Sequence, residues 1–238
     1  MNNIKSISLV FPLYKDKNTV EVMIFKSLKV LKKIKKKFEI IIVDDGCPEG
    51  SGKIAQRYAK KNQKIKVFFH AKNIGYGAAI KTGIKKSKYE CIFLIDGDNE
   101  YNVNDLPRML KALKNNDLVI TYRYKNKNNI KRIFISWVYN KILRFLFSTE
   151  FKDVSVGSRI LTKKLKKKIK VKSNSPFFNA EFAIKSKYYG YNVGEVGIQH
   201  HPRIFGSGSV VSVKNILLMI KEIIILFIQI CLKKKLPH

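Results

Sequence analysis

Cysteine is scarce in this chain of 238 residues: there are three, at positions 47, 91 and 231, with neither paired nor metal-ligand spacing. That excludes a disulfide framework and a cysteine-built zinc site, and makes a reducing cytoplasm the natural setting. Acidic residues are also few, 17 Asp and Glu against 48 Lys and Arg, which leaves a formal net charge of +31. Such an imbalance points to an anionic partner: nucleic acid, an anionic membrane or a phosphorylated substrate. Lysines scattered over the whole surface are the plainer reading, because the runs at 32–37 and 163–168 punctuate helical patterns without marking a groove. No signal peptide is visible, since the N-terminus runs directly into the strand-like SISLVFP. Repeats and long linkers are absent as well. The most apolar stretch, residues 216–232 (ILLMIKEIIILFIQICL), is broken by Lys221 and Glu222. It falls short of the about 20 apolar residues that a membrane span requires.

What is present is an alternation of short apolar runs and helical patterns, in a chain whose 45% hydrophobic content suffices for a core. Strands are expected at 7–11, 38–43, 65–69, 91–95 and 118–121, with helices at 20–34, 51–61, 75–86 and 104–114. This order predicts a parallel sheet covered on both faces, whose ligands sit beyond the carboxyl ends of the strands. After residue 125 the pattern changes. A long amphipathic helix with aromatics and cations is expected at 130–147, a short strand or loop at 153–161, a helix at 177–187 and a strand at 193–199. A glycine-containing loop at 200–209 leads to the apolar helix 213–232.

The stretch CIFLIDGDNEY, residues 91–101, organises the rest. A buried apolar run stops at Asp96-Gly97-Asp98, and two carboxylates one residue apart at a strand end are costly without a partner. A divalent cation carrying phosphate oxygens is one such partner. A strand-to-helix turn in which Asp and Gly supply turn and cap chemistry is the other reading. Asp44-Asp45-Gly46 ends the second strand at the same sheet edge, so both acidic clusters are expected to face one crevice. Asp44 and Asp45 fit a helix cap equally well.

Pro12-x-Tyr14, Val43-Asp44-Asp45-Gly46, Asn73-x-Gly75-x-Gly77-Ala78 and Asp96-Gly97-Asp98 occur in one order. Together they resemble the inverting glycosyltransferases of family 2. Further matches, Arg132-x-x-x-Ser136, Asp153-x-x-x-Gly157-x-Arg159 and Arg203-x-x-Gly206 followed by Ser207-Gly208-Ser209, resemble its dolichyl- or polyprenyl-phosphate sugar synthase branch. The resemblance covers residues 4–215. It implies an α/β fold of the GT-A type: a Rossmann-like, mostly parallel central sheet with helices on both faces, plus a C-terminal amphipathic helix. One domain, 1–211, would comprise a nucleotide-sugar-binding half (1–124) and an acceptor half (125–211), followed by a membrane-associated helix at 212–238.

The resemblance also implies roles. Asp98 would ligate Mg2+ or Mn2+, with Asp96 holding the ribose or a metal-bound water. Glu100, standing where the branch usually has Gln, is a candidate third ligand. Pro12, Tyr14, Asp16, Asp44, Asn73, Gly77, Asp96 and Arg203 would bind the nucleotide-sugar donor. Arg123, Arg132 and Ser136 would meet an acceptor phosphate, for which the planar arginine fork is suited. Asp153 has two readings. With a sugar-hydroxyl acceptor it is the base; with a phosphate acceptor, already ionised, it orients arginine or metal groups. Glu181 is an alternative base or a structural carboxylate, and His200 and His201 are loop residues near the site.

The expected function is transfer of a hexose from a UDP- or GDP-sugar to a polyprenyl or dolichyl phosphate, by an enzyme peripheral at the inner face of the membrane. Transfer to a sugar hydroxyl of a polysaccharide or glycolipid is the neighbouring alternative. A basic nucleic-acid-binding module leaves the ordered acidic and glycine motifs without a role. The apolar C-terminal helix could dock on the membrane, a membrane-protein partner or its own domain.

Overall fold

The first strand shows why a sheet buried on both faces forms here. Every residue of β1 (Ser6–Leu13) is buried, and its alternation sends Leu9, Phe11 and Leu13 into one core and Val10 into the other. β2 (Lys37–Asp44) repeats the division, with Ile40 and Ile42 against Ile41 and Val43. In β4 (Cys91–Leu94), Cys91 and Phe93 oppose Ile92 and Leu94. The computed structural model describes residues 4–125, 130–201 and 213–235.

Among the described residues the sheet has seven strands in the order β3-β2-β1-β4-β6-β5-β7, where β3 is Ile65–Phe69, β5 is Leu118–Lys125, β6 is Arg159–Thr162 and β7 is Val193–Gln199. Only β6 runs against its neighbours β4 and β5; the other pairs are parallel. The mostly parallel sheet expected from the sequence is therefore present. The expected halves 1–124 and 125–211 share it: β6 of the second is inserted between β4 and β5 of the first.

One core is closed by α1 (Val20–Ile34), α2 (Ser51–Lys61) and α4 (Leu106–Leu113). In α1 the buried positions Val20, Met23, Ile24, Val30 and Leu31 follow helical spacing. Each contributes about 1.5–3 kcal/mol of burial. The other core is closed by α3 (Tyr76–Lys86), α7 (Phe178–Tyr188), Leu165 of α6 (Lys163–Lys168), Leu143 of α5 (Ile130–Phe147) and Leu226 of α8 (Val213–Lys235).

α8 has two faces. Met219, Ile223, Leu226 and Ile230 pack on the second core, whereas Leu217, Leu218, Ile224, Ile225 and Ile228 are exposed. α5 likewise exposes Ile130, Phe134, Trp137 and Phe145, and Phe147 meets Phe227 of α8 edge-on at 6.1 Å. In contrast to the expectation for 216–232, residues Asn215–Leu232, with a mean hydropathy of 2.2, are long and apolar enough by length and composition alone to cross a membrane, Lys221 and Glu222 included.

β1 lies between β2 and β4, so connections leave it in opposite directions and open a crevice at the carboxyl ends. Pro12 fits this edge. Ile95 N–H bonds Val10 carbonyl and Asp45 N–H bonds Leu13 carbonyl, so Pro12 faces the β4 side, where pairing has already ended at Val10–Leu94. Its missing N–H costs no ladder bond.

Candidate active site

The acidic end of the site hangs from β4. Leu94 pairs with Arg159 in the antiparallel register of β6, which brings residues 153–159 alongside Asp96-Gly97-Asp98. Gly157 is required there: a β-carbon at 157 would fall on the Asp96 carboxylate. Gly97 abuts Pro12 carbonyl and the Leu13 side chain, and its own carbonyl accepts from Thr19 Oγ1 at 2.8 Å. The turn after β1 and the acidic turn after β4 are thus locked together.

Asp96 Oδ1 accepts from Tyr76 Oη at 2.8 Å. Its depth in the protein, and next the neighbouring Asp98, raise its carboxyl to about 7, although the Tyr76 bond acts the other way. Burial and the Asp96 charge push the Tyr76 phenol well up. Asp98 Oδ1 accepts from Glu100 N–H at 3.0 Å, and Glu100 Oε2 lies 3.2 Å from Nε2 of the fully buried His200. Arg159 is also fully buried, donating to the carbonyls of Asn179 at 2.7 Å and Val156 at 2.6 Å. Burial pulls its guanidinium down to about 10 despite nearby Tyr76 and Asp96.

Three carboxylates close in sequence and partly withdrawn from water leave negative charge that a cation would relieve. Among the described residues no three His, Cys, Asp or Glu side chains gather into a ready cage. Such a donor set fits a hard divalent ion held by one or two carboxylates and completed by phosphate oxygens. Asp96, Asp98 and Glu100 are the carboxylates that line the cavity and could contribute to such a site.

A cationic network adjoins this end. Arg123 donates from Nε to Asp153 Oδ2 at 2.8 Å, and from Nη2 to Ser136 Oγ at 2.8 Å and Ser155 Oγ at 2.9 Å. Burial alone would lower the Arg123 pKa; the charge and hydrogen bond of Asp153, with Tyr101 and Glu100 nearby, together outweigh it and raise it. Asp153 Oδ1 accepts from Ser155 Oγ at 2.6 Å and from Asn140 Nδ2 at 3.1 Å. Asn140 Oδ1 in turn accepts Val154 N–H at 2.9 Å. Asp153 thus holds an arginine and a loop in place.

One cavity of about 330 Å3 connects these groups. Asp96, Asp98 and Glu100 line one part, and Arg123, Arg132 and Ser136 another. Ile135 and Tyr139 of α5 and Ile216, Met219, Ile220 and Ile223 of α8 supply an apolar wall.

The other sequence-predicted residues that the structure describes do not line this cavity. Asp44 is buried, its two oxygens accepting Cys47 N–H and Gly52 N–H at 2.7 Å each. It caps the entry to α2. Asp45 accepts Ile74 and Gly75 N–H at 3.1 and 2.9 Å and meets His70 Nδ1 at 2.7 Å. The two acidic clusters share the sheet edge, but only the second lines the cavity. Asp16 Oδ2 accepts Tyr14 N–H at 3.0 Å, within the turn after Pro12. Asn73 is exposed, and Gly77 donates its N–H to Asn174 carbonyl at 2.8 Å. Glu181 accepts Lys172 and Ser173 N–H at 3.0 and 2.8 Å and pairs with Lys185 Nζ at 2.5 Å, a structural carboxylate. Arg203, Gly206, Ser207, Gly208 and Ser209 lie outside the described residues.

Tyr76, Tyr101, Tyr139, Asn179 and the four α8 residues enter the cavity lining without having been singled out. Tyr76 stands inside the Gly75-x-Gly77 motif and Tyr101 just after Glu100, so both carried a positional signal. Asn179 and α8 carried none, since only the tertiary fold brings them near Asp96.

Comparison with known proteins agrees with this fold. Glucosyl-3-phosphoglycerate synthase from Mycobacterium tuberculosis, solved with Mn2+, uridine diphosphate and phosphoglyceric acid, superposes with a TM-score of 0.72 at 14% identity, over 98% of this chain and 80% of that one. That likeness establishes a shared fold. Human dolichyl-phosphate beta-glucosyltransferase is 35% identical over 121 residues, 48% of this chain and 37% of the relative. Undecaprenyl-phosphate 4-deoxy-4-formamido-L-arabinose transferase of Pectobacterium atrosepticum is 29% identical over 147 residues, 60% of this chain and 45% of the relative. The aligned region thus spans less than half the length of either relative. The profile of glycosyl transferase family 2 matches residues 8–179, which include the acidic turn, the arginine network and every strand of the sheet up to β6. With the fold, the acidic strand end and that match in agreement, the chain belongs to glycosyl transferase family 2.

Proposed function

We propose that this chain is a metal-dependent, inverting glycosyltransferase that moves a hexose from a UDP- or GDP-sugar to a polyprenyl phosphate. The observation that carries this reading is the cavity itself, which is acidic at one part, cationic at another and apolar along α5 and α8. A nucleotide-sugar diphosphate, an acceptor phosphate and an isoprenoid chain need those three environments.

Donor binding falls mainly to residues 1–124 and acceptor binding to Arg123 and residues 125–211, with the helix in 212–238 supplying part of the apolar wall. Mg2+ or Mn2+, when bound, neutralises charge that develops on the departing diphosphate. Asp98 and Asp96 would hold it, and Tyr76 fixes the Asp96 carboxylate. Arg123, Arg132 and Ser136 would orient the acceptor phosphate for in-line attack on the anomeric carbon. The hydrogen bonds that occupy Asp153 support its orienting role over that of a base, which suits an acceptor oxygen that is already ionised. Pro12, Tyr14, Asp16, Asp44, Asn73 and Gly77 shape the loops around the donor. The exposed apolar faces of α5 and α8, followed by lysines at 233–235, support peripheral attachment at the inner face of a membrane.

A panel of UDP- and GDP-hexoses with Mg2+ or Mn2+, with and without undecaprenyl phosphate, tests the acceptor. Sugar should appear in an organic-extractable phosphate lipid that releases it in mild acid. Transfer to a glycan hydroxyl, with none to the lipid, would replace this reading with its neighbour.

A further inference from the structure

The two charges inside the apolar stretch 216–232 argued against a membrane span, and one of them has a specific place in the fold. Glu222 lies on the inner face of α8. Its Oε2 accepts from Ser173 Oγ at 2.8 Å and from Ser175 Oγ, and its Oε1 accepts Asn174 N–H at 3.2 Å. The turn at 172–177 is held from the other side by Glu181 of α7, which accepts Lys172 and Ser173 N–H. Ser175 Oγ also accepts Phe177 N–H at 3.0 Å, at the start of α7.

The same turn supports the start of α3. Asn174 carbonyl accepts Gly77 N–H at 2.8 Å, and Lys81 Nζ reaches Asn174 Oδ1 at 2.6 Å and Lys172 carbonyl at 3.0 Å. Gly75 and Gly77 lie so close to Asn174 and Ser173 that a β-carbon on either would collide with that backbone. Between these glycines stands Tyr76, whose hydroxyl holds Asp96. Beside Glu222 in α8 stand Met219, Ile220 and Ile223, which line the apolar part of the cavity. Two parts of the cavity lining, Tyr76 through the 172–177 turn and the apolar residues of α8, are therefore both tied to the Glu222 carboxylate.

We propose that Glu222 is a positioning residue that couples the seating of α8 to the geometry of Tyr76 and Asp96. It fixes the 172–177 turn, the turn fixes the N-terminus of α3, and α3 fixes Tyr76 on Asp96. A hydrocarbon surface at this position would seat α8 but leave Ser173, Ser175 and the Asn174 amide without their acceptor. The significance of this coupling for catalysis rests on the function proposed above.

The test compares wild type with Glu222→Leu and Glu222→Gln by amide hydrogen exchange on the full chain in detergent micelles, alongside sugar transfer. Glu222→Leu should raise exchange at least tenfold in 173–177 and at the Gly77 amide, and lower kcat at least tenfold with a smaller change in acceptor KM. Glu222→Gln, nearly isosteric and retaining one acceptor oxygen, should fall between and keeps the test usable if the leucine variant misfolds. Faster exchange confined to 173–177 in both variants, with Gly77 and kcat unchanged, would overturn the coupling. Exchange needs no substrate, so a wild type without transferase activity would overturn the proposed function and leave this inference standing.

Discussion

At the scale of single residues, the site depends on close approaches that small or branched alternatives cannot reproduce. Asp98 offers a hard oxygen at the mouth of β4, and Asp98→Asn removes charge while keeping shape. Sugar transfer should fall about 10²–10³-fold, the range for losing one preorganised electrostatic contact, with thermal stability unchanged. Steady-state rates and a melting curve check both parts. Gly157 is the second case. Gly157→Ala would push a methyl onto Asp96, so a loss of about 1–3 kcal/mol from overpacking is expected. Denaturant unfolding measures it, and loss of Mn2+-dependent nucleotide binding should accompany it. Arg123 is the third. Its fork serves Asp153, Ser136 and Ser155 at once, a geometry that the ammonium of lysine does not match. Arg123→Lys should lower kcat/KM for the lipid acceptor roughly tenfold or more, about 1.4 kcal/mol, and leave nucleotide affinity unchanged.

At the scale of elements, much of the fold was legible. The helices at 20–34, 51–61 and 130–147 and the strands at 65–69 and 193–199 stand where apolar periodicity placed them. The segment 104–114 opens instead as a short 3-10 turn at 103–105, capped by the Asn102 side chain, before α4 begins. The insertion of β6 between β4 and β5 was not legible, because four residues, RILT, carry no mark of their partners or direction. The same holds for α8: its periodicity shows an amphipathic helix, but nothing local says that Ile216, Met219, Ile220 and Ile223 face Asp96 across the cavity. Asp44 shows the converse limit. Its place at a strand end and its fitness as a helix cap are legible, whereas the choice between cap and donor ligand depends on where Gly52 comes to lie.

Glu39 illustrates how the strands are tied at the opposite edge. It is buried at the start of β2 and accepts from Ser8 Oγ of β1, Lys66 Nζ of β3 and Lys88 N–H ahead of β4, at 2.7, 2.7 and 2.9 Å. Burial alone would raise its pKa; these bonds outweigh it and hold the carboxyl below its ordinary value of 4.5. A depressed folded pKa means stability that is present above the unfolded value and is lost as pH falls through the folded one. Glu39→Gln should therefore destabilise by about 1–3 kcal/mol at neutral pH. The difference from wild type should shrink below about pH 4.5 and vanish in stronger acid, as denaturant midpoints across pH would show.

At the scale of the whole molecule, the proposed setting, an anionic membrane surface from which the cavity would receive a lipid phosphate, rests on the charge of +31 and the exposed apolar faces of α5 and α8. Replacing Ile224, Ile225 and Ile228 together with Asn should weaken binding to anionic vesicles more than tenfold, since each buried isoleucine contributes about 1.5–3 kcal/mol. Sedimentation with vesicles measures that loss, and nucleotide binding should be unaffected. In the proposed function the acidic and apolar parts of the cavity serve a single reaction. Its most direct measurement is the rate at which radiolabelled hexose passes from a nucleotide sugar into the organic phase with undecaprenyl phosphate, before and after chelation by EDTA. The expected result is lipid-linked sugar that stops forming on chelation and resumes when Mn2+ or Mg2+ is restored. Undiminished transfer in EDTA, or label that never enters the lipid while a glycan hydroxyl accepts it, would contradict the claim.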